Sequence, residues 1–281
     1  MSRISSYPCR IVCLTEETTE TLYLLGEDWR IVGISGFTVR PPRARREKPR
    51  VSAFTSAKLD RIVELRPDLV LGFSDLQADI AAALIRAGIE VHVFNHRSVA
   101  DILRMIRTLG GMIGCEGKAQ ELAARLESGL EEIRASAAAL ERRPRVYFEE
   151  WDEPQISGIR WVSELIGIAG GEDCFPELAA EPLARNRIVK DPLEVPRRAP
   201  DIILGSWCGK KFRPESVVAR PGWSDIPAVR TGFVHEIKSS LILQPGPAAL
   251  TDGVRTLHEI IARWDRSVAR VPRDTSRSSA G

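Results

Sequence analysis

The segment at residues 206–211, which reads SWCGKK, places a thiol next to two cationic side chains directly after the apolar run DIILG. Nearby cations favour the thiolate form of a cysteine, and the thiolate is both the nucleophile and the metal ligand. The segment is therefore compatible with three roles for Cys208: a nucleophile, a metal ligand, or a small residue in a loop beside Trp207.

A nucleophilic cysteine also requires a base within hydrogen-bond reach. His96 and His235 are the candidates, because each lies at or near the end of an apolar run. No serine lies in a Gly-x-Ser-x-Gly motif, which would indicate a nucleophile of another kind. We predict that the protein is not an enzyme, and we keep a cytoplasmic enzyme that uses Cys208 as the alternative from another functional class.

The cysteines and histidines do not form a pattern of metal ligands. The five cysteines are scattered, none lies in a Cys-x-x-Cys pair, and their odd number argues against a disulfide framework. His92 alternates with Val91 and Val93 on a predicted strand, and His258 lies on a predicted C-terminal helix. We therefore predict no resident metal and no cofactor of the protein's own.

Charge and hydropathy exclude several classes of protein. Lysine and arginine total 40 against 38 for aspartate and glutamate, so the net charge does not predict nucleic-acid binding. No apolar run approaches the roughly 20 residues needed to cross a bilayer. No apolar secretion signal is visible near the first residues, so we expect a cytoplasmic protein, or a periplasmic one if a signal has been removed.

We interpret the basic run RPPRARREKPR at 40–50 as a solvated loop that contacts acidic groups of a ligand or partner, and Arg185 and Arg187 as residues that do the same.

Short apolar runs alternate with helical patterns along the chain, which is typical of an α/β fold with parallel strands. In the first half, RIVCLT, RIVGIS, DRIVELRPDLVLGFSD and IEVHVFN alternate with helical patterns over 17–26, 77–87 and 98–113. In the second half, PRVYFEEWD, a helical pattern over 159–171, RRAPDIILGSWCG and TGFVHEIKS follow in the same order. Pro67 and Pro200 are in equivalent positions of this repeat, as are Arg10 and Arg145. The repeat predicts two lobes of similar topology.

A long amphipathic helix is predicted between the two halves. In the segment 116–143, apolar residues recur every three or four positions, as expected for one face of a helix that Pro144 ends. We predict an N-terminal lobe over 1–115, this linking helix over 116–143, a C-terminal lobe over 144–268 and a disordered tail over 269–281.

Aromatic and polar residues follow the predicted strands. Ligands of open α/β sheets bind beyond the carboxyl ends of the strands, and flat apolar surfaces with a few polar groups suit a large, rigid ligand. We therefore predict a ligand site in a cleft that both lobes line. Its candidate residues are Phe37, Phe54, Phe73, Glu149, Trp151, Asp152, Ser157, Ser206, Trp207, Cys208 and Gln244.

Four segments resemble a known family: RIVCLTEETTETLYLLG, LDRIVELRPDLVLGFSD, GIEVHVFNHRSVADILRMIRTLGGMIG and RVYFEEWDEPQISGIRWVSELIGIAGGEDCF. They are similar to the substrate-binding proteins of cobalamin and iron–siderophore ABC importers, over about residues 8–264. YFEEWDEP and AGGEDCF are most similar to the cobalamin-binding group. The resemblance implies two Rossmann-like lobes joined by one long rigid helix, a fold of the class III periplasmic-binding-protein type.

The resemblance also implies a ligand and a partner. The ligand would be cobalamin or a related corrinoid, with a ferric siderophore or haem as the alternative, and the protein would be a substrate-binding component of an importer or a soluble corrinoid carrier. Phe37 and Phe54 take the positions of family aromatics, and Trp151 and Ser157 open the second lobe's part of the pocket. For Cys208, a place beside Trp207 is favoured over a place next to the cobalt.

The partner that the resemblance implies is an ABC permease, which docks to a surface carboxylate on each lobe. The corresponding positions fall near Ala78 and Asp79 and near Leu193 and Glu194, and neither is a clean match. We expect a monomer that does not insert into a membrane.

Overall fold

The computed structural model describes residues 6–269, which form two compact units. Unit 1 comprises the described residues up to Leu130 together with Ser239–Asp252, and unit 2 comprises Glu131–Lys238 and the described residues from Gly253 onward. Except for residue 269, the tail predicted over 269–281 lies outside the described residues. No helix in the described range combines the length and the low polarity that a membrane span requires.

Unit 1 is a five-stranded parallel sheet with helices on its connections. Its strands are β1 (Ile11–Cys13), β2 (Ile31–Ser35), β3 (Arg50–Ser52), β4 (Leu69–Phe73) and β5 (Val91–Phe94), in the order β3-β2-β1-β4-β5. Its helices are α1 (Glu16–Leu24), α2 (Ala44–Glu47), α3 (Leu59–Glu64), α4 (Ala78–Arg86) and α5 (Val99–Met112). Val12, Val70, Ile62 and Leu84 belong to one buried cluster of this unit. Its strands are rich in fully buried β-branched residues, as expected for a parallel sheet covered on both faces.

Helix α6 (Glu116–Ala138) contains the boundary between the two units. Leu122, Leu126 and Leu130 are buried on one face, as the apolar stripe predicts. The helix ends six residues before Pro144, earlier than predicted. The chain that follows is held instead by Asp265, whose carboxylate accepts hydrogen bonds from the backbone N–H groups of Glu141 and Arg142.

Unit 2 has a central sheet in the order β10-β9-β6-β7, with β8 also paired to β6. These strands are β6 (Arg145–Asp152), β7 (Gln155–Ser157), β8 (Glu172–Asp173), β9 (Ile202–Gly205) and β10 (Val234–Glu236). Strand β7 runs antiparallel to β6, whereas the other pairings are parallel. The sequence predicted parallel strands only; β7 is antiparallel because a turn of two residues, Glu153 and Pro154, is too short for a crossover connection.

The helices of unit 2 cover this sheet. They are α7 (Arg160–Ile168), α8 (Pro176–Ala179), α9 (Glu194–Arg198), α10 (Pro214–Val218), α11 (Pro227–Thr231) and α13 (Val254–Ala269). A π-helical turn, Ala249–Gly253, precedes α13, and single 3-10 turns occur at Asp28–Arg30, Asp75–Gln77 and Ala184–Asn186.

The repeat predicted from the sequence is also seen in the structure, where the two units contain the same hydrogen bond at equivalent positions. In unit 1, the Asp68 carboxylate accepts a bond of 2.8 Å from the backbone N–H of Arg10, at the start of β1. In unit 2, the Asp201 carboxylate accepts a bond of 2.8 Å from the backbone N–H of Arg145, at the start of β6. The two-lobed α/β fold is therefore confirmed, with β1, β4 and β5 equivalent to β6, β9 and β10.

The segment Ser239–Asp252, which begins with α12 (Ser239–Ile242), belongs to unit 1, although the predicted boundaries include it in the C-terminal lobe. It packs against α1: a Cβ at Gly246 would lie 2.5 Å from the Cβ of Glu17, and the Ala248 N–H donates to the Glu20 carboxylate at 3.0 Å. Apolar and backbone contacts of this kind leave no periodic signal in the sequence.

Candidate functional site

Several buried polar atoms without a hydrogen-bond partner lie at or near the ends of strands. Among the described residues of unit 1 they include Glu16 Oε2, Thr38 Oγ1, Ser52 Oγ and His96 Nδ1, which lie at or just beyond the ends of β1, β2, β3 and β5. In unit 2 they include Asp152 Oδ1, Gln155 Oε1, Ser206 Oγ and His235 Nε2. A buried polar group left unpaired costs about 1–3 kcal/mol, so such a concentration is a mark of a functional site.

Two of the predicted aromatic residues of unit 1 are accessible. Phe37 follows β2 with 51% of its surface exposed, and Phe54, after β3, is partly buried. The loop of Phe54 is held by Gln77, whose Nε2 donates to the Phe54 carbonyl at 2.9 Å and whose Oε1 accepts from the Phe73 N–H at 2.9 Å. Sequence reasoning missed Gln77, which fixes the ends of β3 and β4 relative to each other. In the sequence, Gln77 is only a polar residue four positions after a strand end, and its complete burial is visible only in the structure.

Phe73 itself is mostly buried, so little of its ring is available as a pocket wall. The ring lies 4.9 Å from that of His96 and 4.6 Å from the Arg97 guanidinium. His96 Nε2 lies 2.7 Å from the Pro245 carbonyl, which can only accept, so Nε2 carries the proton. Burial lowers the pKa of His96 to about 4. Gln244 precedes this proline and is partly buried.

Helix α1 begins with a cluster of acidic residues that the sequence prediction did not include. Glu16, Glu17 and Glu20 are all buried. Burial, together with the neighbouring Glu17 and Glu20, raises the pKa of Glu16 to about 8. Burial also raises the pKa of Glu17 to about 7, although Thr15 donates a hydrogen bond to its carboxylate. The first turn of α1 therefore carries carboxyl groups that hold protons near neutral pH.

The basic run at 40–50 was interpreted as a solvated loop, and the structure differs. It contains α2 and the start of β3, and two of its arginines, Arg40 and Arg43, contact side chains of the same unit. Arg40 lies 2.8 Å from the Glu20 carboxylate and 2.9 Å from that of Asp252, while the Arg43 guanidinium stacks on Tyr23 at 4.7 Å. Acidic groups of the protein thus occupy these arginines.

Glu149 was predicted as a polar anchor for the ligand, but the structure gives it another role. The side chain is fully buried, and Arg220 binds both carboxylate oxygens, at 2.6 and 2.8 Å. Tyr147 donates to the same carboxylate at 3.0 Å and Trp207 Nε1 donates at 3.2 Å. With both oxygens bonded, Glu149 positions Trp207 rather than offering an acceptor.

Trp207 was expected to be a pocket wall, and it lies mainly in the core of unit 2. Only 5% of its surface is exposed, and its ring packs edge-on against Phe212 at 4.8 Å. Trp151 is more accessible, being partly buried, and its Nε1 donates to the Glu153 carbonyl at 2.9 Å.

Lys210 brings these tryptophans and Asp152 together. Its ammonium lies 5.1 Å from the ring centre of Trp207, 5.7 Å from that of Trp151 and 2.5 Å from an Asp152 oxygen. Cys208 in the same loop is exposed. The predicted residues Trp151, Asp152 and Trp207 are thus neighbours through Lys210, which was not among the predicted site residues.

The two predicted serines of unit 2 are buried beside these residues. Ser206 donates its N–H to the Glu149 carbonyl at 2.9 Å, and Ser157 donates its hydroxyl to the Arg187 carbonyl at 3.3 Å. Arg187, expected to contact a ligand or partner, is instead buried and paired with Glu150 at 2.6 Å.

The positions expected to dock a permease carry acidic residues in the first turns of two helices. Asp79 is exposed at the start of α4. Glu194, at the start of α9, lies within 3.1 Å of Arg197 and 3.0 Å of Arg198.

A protein-family model described as periplasmic binding protein matches residues 11–241. The chain belongs to this family. Its members bind substrates and are not enzymes. Among curated proteins, an ABC transporter substrate-binding lipoprotein of Bacillus subtilis is 26% identical, over 92% of this chain and 81% of its own length. The vitamin B12-binding protein of Vibrio parahaemolyticus is also 26% identical, over 90% of this chain and 86% of its own.

Solved structures of the family share the fold. The periplasmic vitamin B12 binding protein BtuF of Vibrio cholerae superposes with a TM-score of 0.73 and 20% identity, covering 92% of this chain and 98% of its own. The periplasmic haem-binding protein RhuT from Roseiflexus gives a TM-score of 0.75 and 23% identity, covering 90% and 98%. The family resemblance read from the sequence is confirmed.

Proposed function

We propose that this protein binds cobalamin or a related corrinoid at the carboxyl ends of its strands, as the substrate-binding component of an ABC importer. The observation that supports the proposal is the presence of unpaired, buried polar atoms near strand ends in each unit, together with accessible aromatic residues: Phe37 and Phe54 in unit 1, and Trp151 in unit 2. A corrinoid is a large, flat ring system edged with amides, so it would cover the aromatic rings and supply partners for the unpaired atoms.

Similarity to curated proteins favours a corrinoid over the other ligands of the family. A vitamin B12-binding protein aligns over 90% of this chain. Haem and ferric siderophores remain the alternative, because the family fold also serves a haem-binding protein. The comparisons give no support to the cytoplasmic location that we expected, and one similar protein is a lipoprotein. We propose that the protein acts outside the cytoplasm with an ABC permease as its partner, and the expectation of a monomer stays a prediction.

Titration of the purified protein with cyanocobalamin tests the ligand, followed by calorimetry and by the visible spectrum of the corrin. We expect one molecule bound per chain, with a Kd of about 1 μM or lower, which is about −8 kcal/mol. Absence of binding at about 50 μM ligand would exclude a corrinoid. Binding of haem or a ferric siderophore under the same conditions would assign the alternative ligand.

A further inference from the structure

Unit 1 contains a cavity of about 390 Å³ beside the edge strand β3. Arg50, Ser52, Ser56 and Lys58 line it together with the backbone at Gly36. The residues come from the two ends of β3 and from the loop that follows it. This cavity therefore combines two cationic side chains and two hydroxyl groups within one short stretch of chain.

A tight turn after β3 brings the backbone at Lys58 back alongside the strand. The Ala53 N–H donates to the Ser56 carbonyl at 2.8 Å, and the Lys58 N–H donates to the Val51 carbonyl at 2.8 Å. The chain thus returns along β3, so that Lys58 lies beside the strand residue that follows Arg50. Gly36, which follows β2, lines the cavity as well, and its N–H donates to the Ser52 carbonyl at 2.7 Å.

The charge in this cavity is not compensated by the described part of the protein. No carboxylate of the described residues forms an ion pair with Arg50 or Lys58, whereas Arg40 and Arg43 of the same basic run both have acidic partners. The Ser52 side chain is 9% exposed, and its Oγ has no hydrogen-bond partner among the described residues. Two cations beside an unpaired, buried hydroxyl are the elements that bind an oxyanion.

A larger cavity in unit 2 lacks this excess of one sign. It measures about 450 Å³ and is lined by Arg263 and Arg266, but also by Glu236 and Glu259. Opposite charges in one wall neutralise each other, so this second cavity does not select an anion.

We propose that the cavity beside β3 binds an oxyanion, a phosphate or a carboxylate, which Arg50 and Lys58 neutralise and to which Ser52 donates a hydrogen bond. Gly36 and Ala53, which line the cavity, directly precede Phe37 and Phe54. The anion is therefore an acidic substituent of the ligand that covers these rings, such as the phosphodiester of cobalamin; this part rests on the proposed function.

Titration with inorganic phosphate, followed by ³¹P NMR, tests the site without any corrinoid. We compare the wild type with R50Q, K58Q and S52A, and with R86Q, which removes an exposed cation at the end of α4. We expect each of the three site variants to weaken phosphate binding by about fivefold and R86Q to leave it unchanged. Thermal unfolding checks that all variants are folded; S52A should keep the wild-type Tm, because its hydroxyl has no partner to lose. Equal phosphate affinity in wild type, R50Q and K58Q, or no binding to the wild type, overturns the site.

Calorimetry with cobalamin and with cobinamide, a corrinoid without the phosphate-linked nucleotide, identifies the source of the anion. If the ligand supplies it, R50Q and K58Q weaken cobalamin binding about fivefold and leave cobinamide binding unchanged. If both corrinoids bind all variants equally while phosphate binding is lost, the site holds free phosphate and the link to the ligand is wrong. If no corrinoid binds the wild type, the proposed function fails, and the phosphate titration still decides the site.

Discussion

The guanidinium of Arg220 faces the carboxylate of Glu149 in unit 2, with Nη1–Oε2 and Nη2–Oε1 distances of 2.6 and 2.8 Å. Glu149 is fully buried, and Arg220 is also largely removed from solvent. Two parallel, charge-assisted bonds offset the cost of burying both ions only while both partners are present. The Glu149 carboxylate also accepts a hydrogen bond from Trp207 Nε1, so the position of this core tryptophan depends on the pair.

Replacement of Arg220 by methionine should destabilise the protein strongly. R220M leaves the Glu149 carboxylate buried without its counter-ion, and we expect a loss of about 3–5 kcal/mol in the free energy of unfolding. Urea denaturation measures the change. R160M is the control, because Arg160 pairs with Glu164 on an exposed helix face and its loss should cost less than about 1 kcal/mol. Similar midpoints for the two variants would contradict a structural role for the buried pair.

The raised pKa of Glu16, about 8, makes stability depend on pH. The folded protein keeps this proton above pH 4.5, the ordinary value, whereas the unfolded chain releases it, so the free energy of unfolding falls as pH rises toward 8. The pKa of His96 is lowered from 6.5 to about 4, so below pH 6.5 the unfolded chain binds a proton that the folded protein does not. This group therefore makes the free energy of unfolding rise with pH in that lower range. Between pH 6.5 and 8, the fall in the free energy of unfolding therefore reports the glutamates rather than His96. Glu17, with a pKa of about 7, contributes to this fall in the lower part of the range.

In that range the wild type should lose stability by up to about 1.4 kcal/mol per pH unit for each retained proton. E16Q should show a smaller loss, because glutamine does not ionise. Urea denaturation at several pH values measures both slopes, with E64Q, which changes an exposed glutamate on α3, as the control. The assignment fails if E16Q and E64Q give the same slope.

Gly205, the last residue of β9, should not tolerate a side chain. A Cβ there would lie 1.8 Å from a ring atom of Phe212, which packs against Trp207. We expect G205A to cost about 1–3 kcal/mol through overpacking. G129A is the matched control: Gly129 lies within α6 with nothing within 4 Å of its added Cβ, so alanine should stabilise the helix by up to about 1 kcal/mol. Thermal unfolding that shows the same sign for both variants would contradict this expectation.

Phe37 should contribute to ligand binding and not to stability. With half of its surface exposed, its loss removes few contacts within the protein. If a corrinoid covers the ring, F37A should weaken binding by up to about tenfold, with Tm unchanged. Calorimetry measures the affinity. L24A removes a similarly exposed apolar side chain at the end of α1 and should leave the affinity at the wild-type value. Equal affinities for F37A and L24A would remove Phe37 from the site.

Sequence patterns predict the elements of this fold well because each element is a local, periodic arrangement. The runs around Pro67 and Pro200 predict β4 and β9, and the equivalent bonds of Asp68 and Asp201 confirm that the halves repeat. The candidate site is predicted less well. A glutamate at the end of a strand looks the same whether it faces a ligand or, like Glu149, an arginine 71 positions later.

The membership of Ser239–Asp252 in unit 1 bears on the synthesis of the chain. When the ribosome has made residue 130, the Glu20 carboxylate and His96 still lack the Ala248 N–H and the Pro245 carbonyl that they bind in the finished protein. At about 5–20 residues per second, these partners are made roughly 6 to 24 s later. The unit whose translation begins first therefore stays incomplete until nearly all of the second unit has been made, and until then these two groups of unit 1 lack the partners that they bind in the finished protein.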